Sequence, residues 1–121
     1  METKSMGFET KMVHAGASPD PYGSAVVPIY QTSTFAFESA QNGADRFAGR
    51  ADGYIYTRLG NPTIRALERN VAELEEGADA VATSSGMGAV NTVYMTLLGQ
   101  GAHLVSTASV YGPSRLLVEK H

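Results

Sequence analysis

The sequence predicts an α/β fold in which helices alternate with the strands of a mostly parallel sheet. From residue 61 onward, two helical patterns alternate with two short apolar runs, and a third helical pattern closes the 121-residue chain. The order helix, strand, helix, strand, helix is typical of α/β proteins, whose helices cover the sheet. Ligands in such folds bind outside the carboxyl ends of the strands, so we expect a site in the loops that follow them.

The first 24 residues predict an irregular arm, because glycine, proline and polar residues occur there without a helical or strand period. His14 stands without nearby acidic or histidine partners, and we interpret it as a structural, hydrogen-bonded histidine. Residues 26–37 are β-branched and aromatic but include Pro28, so an extended segment is expected rather than a central strand. An arm with exposed aromatic side chains favours contact with a partner subunit or another part of the protein, and hence an oligomer.

A polar loop at 47–53 leads to Tyr56 and Arg58. Residues two apart in an extended stretch point to the same side, so the phenol and the guanidinium are expected to converge on one group. Such a pair is suited to binding phosphate, because the forked guanidinium matches the geometry of phosphate oxygens. Spacing alone favours the alternative, a surface tyrosine beside a solvated arginine.

The clearest helix begins near residue 61. Asn61 is a typical N-cap, Pro62 suits the first helical position, and Gly77 ends the pattern. Four apolar residues share one face of this helix: Ile64, Leu67, Val71 and Leu74. The charged residues off that face are interpreted as a solvated surface without a chemical role.

The stretch 80–91 predicts a strand, a tight turn and the start of a helix, because a short apolar run breaks into Ser-Ser-Gly before a helical pattern resumes. Ser85 is the expected N-cap. The amides of Gly86 and Met87 would have no intrahelical partner, and with the helix dipole they suit a phosphate. The alternative is an ordinary strand-to-helix junction. A dinucleotide site is not indicated, because the last glycine of that motif is missing.

A second apolar helical stripe follows the turn, residues 103–108 predict a second strand, and residues 115–121 predict the start of a third helix. The loops after the two strands would face the same crevice, which would bring Tyr111 near Gly86. An aromatic ring beside a phosphate site suits a flat phosphorylated cofactor that stacks on the phenol.

The composition argues against several classes of function. The net charge of -3 offers no basic face for nucleic acid. The chain contains no cysteine, which excludes disulfides and thiolate metal sites within it and fits a reducing compartment, and we assign no metal ligands. No apolar run approaches the ~20 residues of a membrane span, and no signal peptide is indicated, so we expect a cytoplasmic protein.

Taken together, five segments resemble the Cys/Met-metabolism (transsulfuration) family of pyridoxal-phosphate enzymes along essentially the whole chain. The segments are 13–16, 28–35, 54–63, 84–89 and 110–112. The resemblance implies the aspartate aminotransferase-like fold, fold type I, and pyridoxal 5'-phosphate as the cofactor. It also implies that the expected partners are an amino-acid substrate and further copies of the chain, in a homotetramer built of dimers.

The same resemblance assigns roles to individual residues. The turn of Ser85, Gly86 and Met87 would bind the cofactor phosphate, chiefly through the Gly86 and Met87 amides. Tyr56 and Arg58 would reach the phosphate of the neighbouring subunit's cofactor. Tyr111 would stack on the pyridine ring and assist proton transfer or departure of the leaving group.

The resemblance further implies an N-terminal fragment. Residues 1–60 would form an arm and loop against the neighbouring subunit, and residues 61–121 would begin the cofactor-binding α/β domain. The family's cofactor-binding lysine, the aspartate that pairs with the pyridine nitrogen and the arginine that holds the substrate carboxylate would all lie beyond His121.

Residues 54–63 look most like the methionine γ-lyase group, which predicts γ-elimination from methionine or a related γ-substituted amino acid. Pro113 stands where many members of that group have a cysteine. This departure leaves cystathionine γ-lyase open, and also γ-replacement of the O-acetylhomoserine sulfhydrylase or cystathionine γ-synthase type. A non-catalytic phosphate-binding or oligomerisation module is the alternative from another class of function.

Overall fold

The computed structural model describes residues 6–18 and 20–120. They contain five α-helices: α1 (Phe8–His14), α2 (Ala40–Phe47), α3 (Pro62–Leu74), α4 (Gly86–Leu97) and α5 (Gly112–Lys120). The chain divides into two compact units, Met1–Val81 and Ala82–His121. Within the described ranges, no helix combines the length and the apolar character that crossing a membrane requires.

Helix α1 corrects the prediction that the first 24 residues are irregular. Its N-cap, Gly7, provides no side-chain cap, so contacts with α3 hold it instead. Asn70 Nδ2 on α3 donates to the Met12 carbonyl at 3.0 Å. Gly16 lies so close to α3 that a Cβ there would overlap the Ala66 carbonyl oxygen. Short helices depend mainly on tertiary packing, which local sequence signals do not report.

His14 is the last residue of α1, and its side chain is exposed. Its carbonyl accepts a hydrogen bond from Ala17 N at 3.0 Å. The imidazole bonds to no residue that the structure describes, so the expected hydrogen-bonded histidine is not found there.

The predicted start of α3 is confirmed. Asn61 Oδ1 accepts from Thr63 N at 2.8 Å, and Pro62 is the first helical residue. The extended conformation predicted for residues 26–37 is also seen, with a single antiparallel bridge between Thr34 and Tyr56.

Arg65 on α3 is not simply a solvated charge. Its guanidinium makes two hydrogen bonds to the Asp79 carboxylate, at 2.7 and 3.1 Å, and one to Glu68 at 3.3 Å. These bonds lower the pKa of Asp79 below its usual range and raise the pKa of Arg65. The ion pair fastens the chain after α3 to the helix.

Residues 40–47, for which the sequence predicts no element, form α2. Phe37 and Phe47 pack edge to face with centroids 6.1 Å apart, and the Arg46 guanidinium carbon lies 5.7 Å from the centre of the Phe37 ring. Arg46 Nη1 also donates to the Tyr54 carbonyl at 3.1 Å. The aromatic contacts hold α2 against the segment before it, and the bond to Tyr54 holds it against the chain that leads to Tyr56.

In the second unit, α4 begins at Gly86 as predicted, but α5 begins at Gly112 rather than at residue 115. The Tyr111 carbonyl accepts from Ser114 N at 2.9 Å and from Arg115 N at 3.2 Å. Pro113 is compatible with this first turn, where its missing N–H has no intrahelical acceptor.

The two predicted strands, 80–83 and 103–108, form no ladder. Both lie outside the helices, and Val81 and Val105 are 81% and 85% exposed. A strand pairs with a neighbouring strand in a ladder, and the β-bridge found among the described residues joins Thr34 and Tyr56, outside both segments. The strand prediction is therefore wrong for this chain by itself, although the helices on either side are where it expects them.

Candidate cofactor site

The turn before α4 leaves two backbone amides free. Ser85 Oγ accepts from Gly88 N at 3.0 Å, and the Ser85 carbonyl accepts from Ala89 N at 3.0 Å. Thr83 Oγ1 donates to the same carbonyl at 2.8 Å. Among the described residues, nothing accepts a hydrogen bond from the amides of Gly86 or Met87.

Space for a ligand lies directly beside these amides. A Cβ built on Gly86 would have no atom within 4 Å, so the N-terminus of α4 is open at that point. Helix N-termini carry about half a positive charge, and unpaired amides there bind phosphate. Ser85 Oγ is used as an acceptor, which leaves its hydroxyl hydrogen available to a phosphate oxygen. The residues present therefore fit a phosphate group.

Met87 and Ser114 bring the first turns of α4 and α5 together. Ser114 is 3% exposed, and its hydroxyl lies 3.6 Å from the Met87 sulfur in a hydrogen bond. Tyr111 immediately precedes α5 and is 68% exposed. Its phenol bonds to no residue in the described part of the chain. The Ser114–Met87 contact joins the first turns of α4 and α5, and the proximity of Tyr111 to the Gly86 turn stays a prediction.

Tyr56 and Arg58 lie in the first unit. Tyr56 forms the β-bridge with Thr34 of the N-terminal arm, and Arg58 follows two residues later. Phe35 N donates to the Ile55 carbonyl at 3.1 Å. After Tyr56 the chain turns, because Leu59 N and Gly60 N both donate to the Tyr56 carbonyl, at 2.8 and 3.1 Å.

The Arg58 guanidinium carbon lies 5.1 Å from the centre of the Tyr56 ring. The two side chains contact each other across a turn, not along an extended strand, and their convergence on one bound group stays a prediction. Tyr56 is 37% exposed, and Arg58 is also exposed. Together they line one side of a cavity of about 320 Å³ whose other walls are largely apolar: Thr34, Phe35, Phe37, Phe47, Ile55 and Leu59.

Some residues around these sites were not singled out by the sequence. Ser114 carries no motif, and its burial against Met87 depends on how α4 and α5 pack. Thr57 and Thr63 also escaped notice, although both bond to the arm. Asn61 was identified as a cap alone. Within the described residues, no group of three or more His, Cys, Asp or Glu side chains could hold a metal ion.

Comparison with known proteins gives a consistent result. The family model described as Cys/Met metabolism PLP-dependent enzyme matches residues 9–121. An L-methionine gamma-lyase from Fusobacterium nucleatum subsp. polymorphum is 54% identical over 112 residues, which are 93% of this chain and 28% of that protein. An O-acetyl-L-homoserine sulfhydrylase from Corynebacterium glutamicum is 46% identical over 112 residues, 92% of this chain and 26% of that protein. The chain thus spans little more than a quarter of these relatives.

Solved structures agree. The metB protein from Corynebacterium glutamicum matches with a TM-score of 0.85 at 39% identity, over 98% of this chain and 29% of that one. A Campylobacter jejuni protein described as a putative O-acetylhomoserine (thiol)-lyase matches with a TM-score of 0.87 at 32% identity, over 96% of this chain and 29% of that one. That structure contains N'-pyridoxyl-lysine-5'-monophosphate. These matches confirm the predicted fold class, the beginning of a fold type I α/β domain.

Proposed function

Because the chain belongs to the family of Cys/Met metabolism PLP-dependent enzymes, we propose that it forms the phosphate-binding part of an enzyme that removes the γ-substituent of methionine or a related amino acid. The observation that carries this proposal is the pair of amides at Gly86 and Met87, which find no acceptor among the described residues and begin a helix that is open on the side where Gly86 lacks a Cβ. The activity, substrate and partners belong to the whole protein, of which this chain would supply the cofactor contacts.

In this proposal the amides of Gly86 and Met87 and the hydroxyl of Ser85 bind the phosphate of pyridoxal 5'-phosphate. A phosphate dianion there is stabilised by the two N–H groups and by the α4 dipole, without a lysine at that position. When bound, the cofactor supplies an electron sink that stabilises negative charge developing on the substrate's α- and β-carbons.

Tyr111 acts in two ways. Its ring provides a flat surface on which the pyridine ring stacks, and its phenol holds or moves the proton that the departing γ-group requires. The hydroxyl is free for this task, since it bonds to none of the described residues and the side chain is 68% exposed. Ser114, buried on Met87, keeps the start of α5 against the start of α4.

Tyr56 and Arg58 bind the cofactor phosphate of a neighbouring subunit, so the enzyme works as a homo-oligomer, a tetramer built of dimers. The support is their exposure and the exposed apolar side chains of the arm, including Val26 at 78% and Ile29 at 82%. Residues 1–60 would then be the intersubunit arm, and residues 61–121 the start of the cofactor domain. A cytoplasmic location belongs to the same proposal.

Mixed oligomers test this sharing. Full-length Arg58→Ala and Tyr111→Ala variants, each impaired alone, should regain activity when unfolded and refolded together. A mixture with no more activity than the sum of its parents would contradict a site built from two subunits.

The choice of reaction rests on the relatives. L-methionine gamma-lyases are 54% and 47% identical to this chain, and an O-acetyl-L-homoserine sulfhydrylase is 46% identical, so γ-replacement is the second candidate. Elimination takes up water and releases a thiol, ammonia and a 2-oxo acid, whereas replacement exchanges an acyloxy group for a thiol. Incubating the full-length enzyme with methionine should yield a 2-oxo acid and a thiol in equal amounts. Product only from O-acetylhomoserine with sulfide would instead favour replacement.

A further inference from the structure

A buried hydrogen-bond network joins the arm to the start of α3, with Asn61 at its centre. Asn61 is buried, with 3% of the residue exposed. Its Nδ2 donates to the Tyr30 carbonyl at 2.9 Å and to Thr57 Oγ1 at 3.1 Å, while its Oδ1 accepts from Thr63 N at 2.8 Å. A carbonyl can only accept and an N–H can only donate, so these partners determine the orientation of the amide.

Thr57 lies between Tyr56 and Arg58 in the sequence and is bound on two sides. Its hydroxyl donates to the Thr32 carbonyl while it accepts from Asn61, and its own N–H donates to the Ser33 carbonyl at 2.8 Å. Three hydrogen bonds therefore restrain the one residue that separates the aromatic ring from the guanidinium.

Thr63 adds a second connection to the arm. Its hydroxyl donates to the Pro28 carbonyl at 3.0 Å and accepts from Tyr30 N at 2.9 Å. The partners lie 35 and 33 residues away along the chain. Residues 28–33 and 57–63 are thus bound to each other at several points, and the turn that carries Arg58 is anchored on both sides.

We propose that Thr57 and Asn61 are positioning residues for the Tyr56 and Arg58 pair, an inference that rests on the proposed role of that pair in binding cofactor phosphate. Tyr56 and Arg58 contact each other, but their side chains form no hydrogen bond to the residues that the structure describes. Their direction is therefore set by the backbone of the turn, and Thr57 and Asn61 hold that backbone. Groups that orient metal-ligating side chains commonly change metal affinity about 10- to 100-fold, and we expect an effect of comparable size for this phosphate-binding pair.

Asn61 both caps α3 through its Oδ1 and donates two hydrogen bonds through its Nδ2, and a different capping residue can keep the first role without the second. Serine also accepts from the N-terminal amides of a helix. Serine lacks the two N–H donors that reach Tyr30 and Thr57. Unlike aspartate, serine also introduces no buried charge. Asn61→Ser therefore keeps the cap of α3 and removes the two bonds that Asn61 Nδ2 donates, to the Tyr30 carbonyl and to Thr57 Oγ1.

The test uses the full-length enzyme and measures the dissociation constant of pyridoxal 5'-phosphate together with Tm. Thr57→Val removes the hydroxyl and keeps the β-branched shape; it should weaken cofactor binding about 10-fold. Thr57→Ser restores the hydroxyl and should bind like the wild type. Asn61→Ser should repeat the loss, which keeps the test decisive if Thr57→Val folds poorly. Asn70→Ser, which removes another amide-to-carbonyl bond, should lower Tm without changing cofactor affinity.

A double-mutant cycle with Arg58→Ala separates positioning from general damage. If Thr57 acts through Arg58, Thr57→Val should cause little further loss of affinity once Arg58 is alanine. An equal loss in both backgrounds, or a Thr57→Val enzyme with wild-type affinity, would overturn the positioning role. An Arg58→Ala enzyme with wild-type affinity would instead overturn the phosphate-binding role of the pair itself.

Discussion

Replacing Ser85 with aspartate should separate the stability of α4 from its ability to bind phosphate. Aspartate is as good an N-cap as serine, because its carboxylate can accept from Gly88 N in place of the serine oxygen, now at 3.0 Å. A negative charge at a helix N-terminus is also favourable. The variant should therefore fold with an unchanged or slightly raised Tm. The same carboxylate would repel a phosphate held by the neighbouring Gly86 and Met87 amides.

The size of that repulsion follows from Coulomb's law. A carboxylate and one phosphate charge about 4 Å apart interact by about 1 kcal/mol in bulk water and by about 4 kcal/mol at the effective dielectric of a protein surface. Since each 1.4 kcal/mol corresponds to about a tenfold change, this single charge should make Ser85→Asp raise the dissociation constant of the cofactor about 5- to 1,000-fold, and the second charge of a dianion adds to the repulsion. Losing the cap in Ser85→Ala should instead cost about 1 kcal/mol of helix stability.

Equilibrium dialysis of the full-length apoenzyme against pyridoxal 5'-phosphate measures this dissociation constant, and thermal unfolding gives Tm. Ser39→Asp is the matched control, because Ser39 caps α2 with the same geometry, accepting from Asn42 N at 3.1 Å. The control should leave cofactor affinity unchanged. A Ser85→Asp enzyme that binds the cofactor as tightly as the wild type would refute the assignment of the phosphate to the N-terminus of α4.

Three further predictions concern other parts of the chain. Tyr111→Phe keeps the ring and removes the proton donor, so steady-state kinetics of the full-length enzyme should show kcat about 100-fold lower with the cofactor retained, and an unchanged kcat would remove the phenol from the mechanism. Gly16→Ala places a Cβ against an α3 carbonyl and should cost about 1–3 kcal/mol in a denaturation experiment, whereas Gly99→Ala, which points into open space, should cost far less; equal costs would contradict the close packing of α1. The Asp79 pKa is lowered by Arg65, so the pair contributes stability above the ordinary Asp pKa of about 3.9 and loses it as the pH falls through the lowered value. Asp79→Asn should accordingly lower Tm at pH 7 by an amount that shrinks as the pH falls through the lowered Asp79 pKa, and a Tm difference that did not shrink in acid would contradict the ion pair as its cause.

The site turn could be predicted because its causes lie within a few residues of one another. Ser85 as an N-cap, Gly86 without a side chain and the resumed helical pattern all act inside one helical turn, and the structure has them as expected. The same holds for the start of α3, where Asn61 and Pro62 act locally. The family resemblance added the cofactor, which no local pattern could name.

The remaining features depended on residues far apart in the chain. Helix α1 has no capping side chain and is held by Asn70, 58 residues from its partner at Met12. The predicted strands have the right composition but form no ladder within residues 6–18 and 20–120, and pairing cannot be read from one segment alone. Ser114 contacts Met87 only because α5 packs on α4.

The sequence by itself therefore determined the starts of α3 and α4, the form of the turn before α4 and the family of the protein, because caps, glycines and motif spacing act over short distances. Tertiary structure alone decided how Tyr56 and Arg58 meet and what supports them. Asn61 and Tyr30 are 31 residues apart in the chain. Such a contact stabilises the fold only after the intervening chain has closed into a loop, at an entropic cost that no local segment reveals.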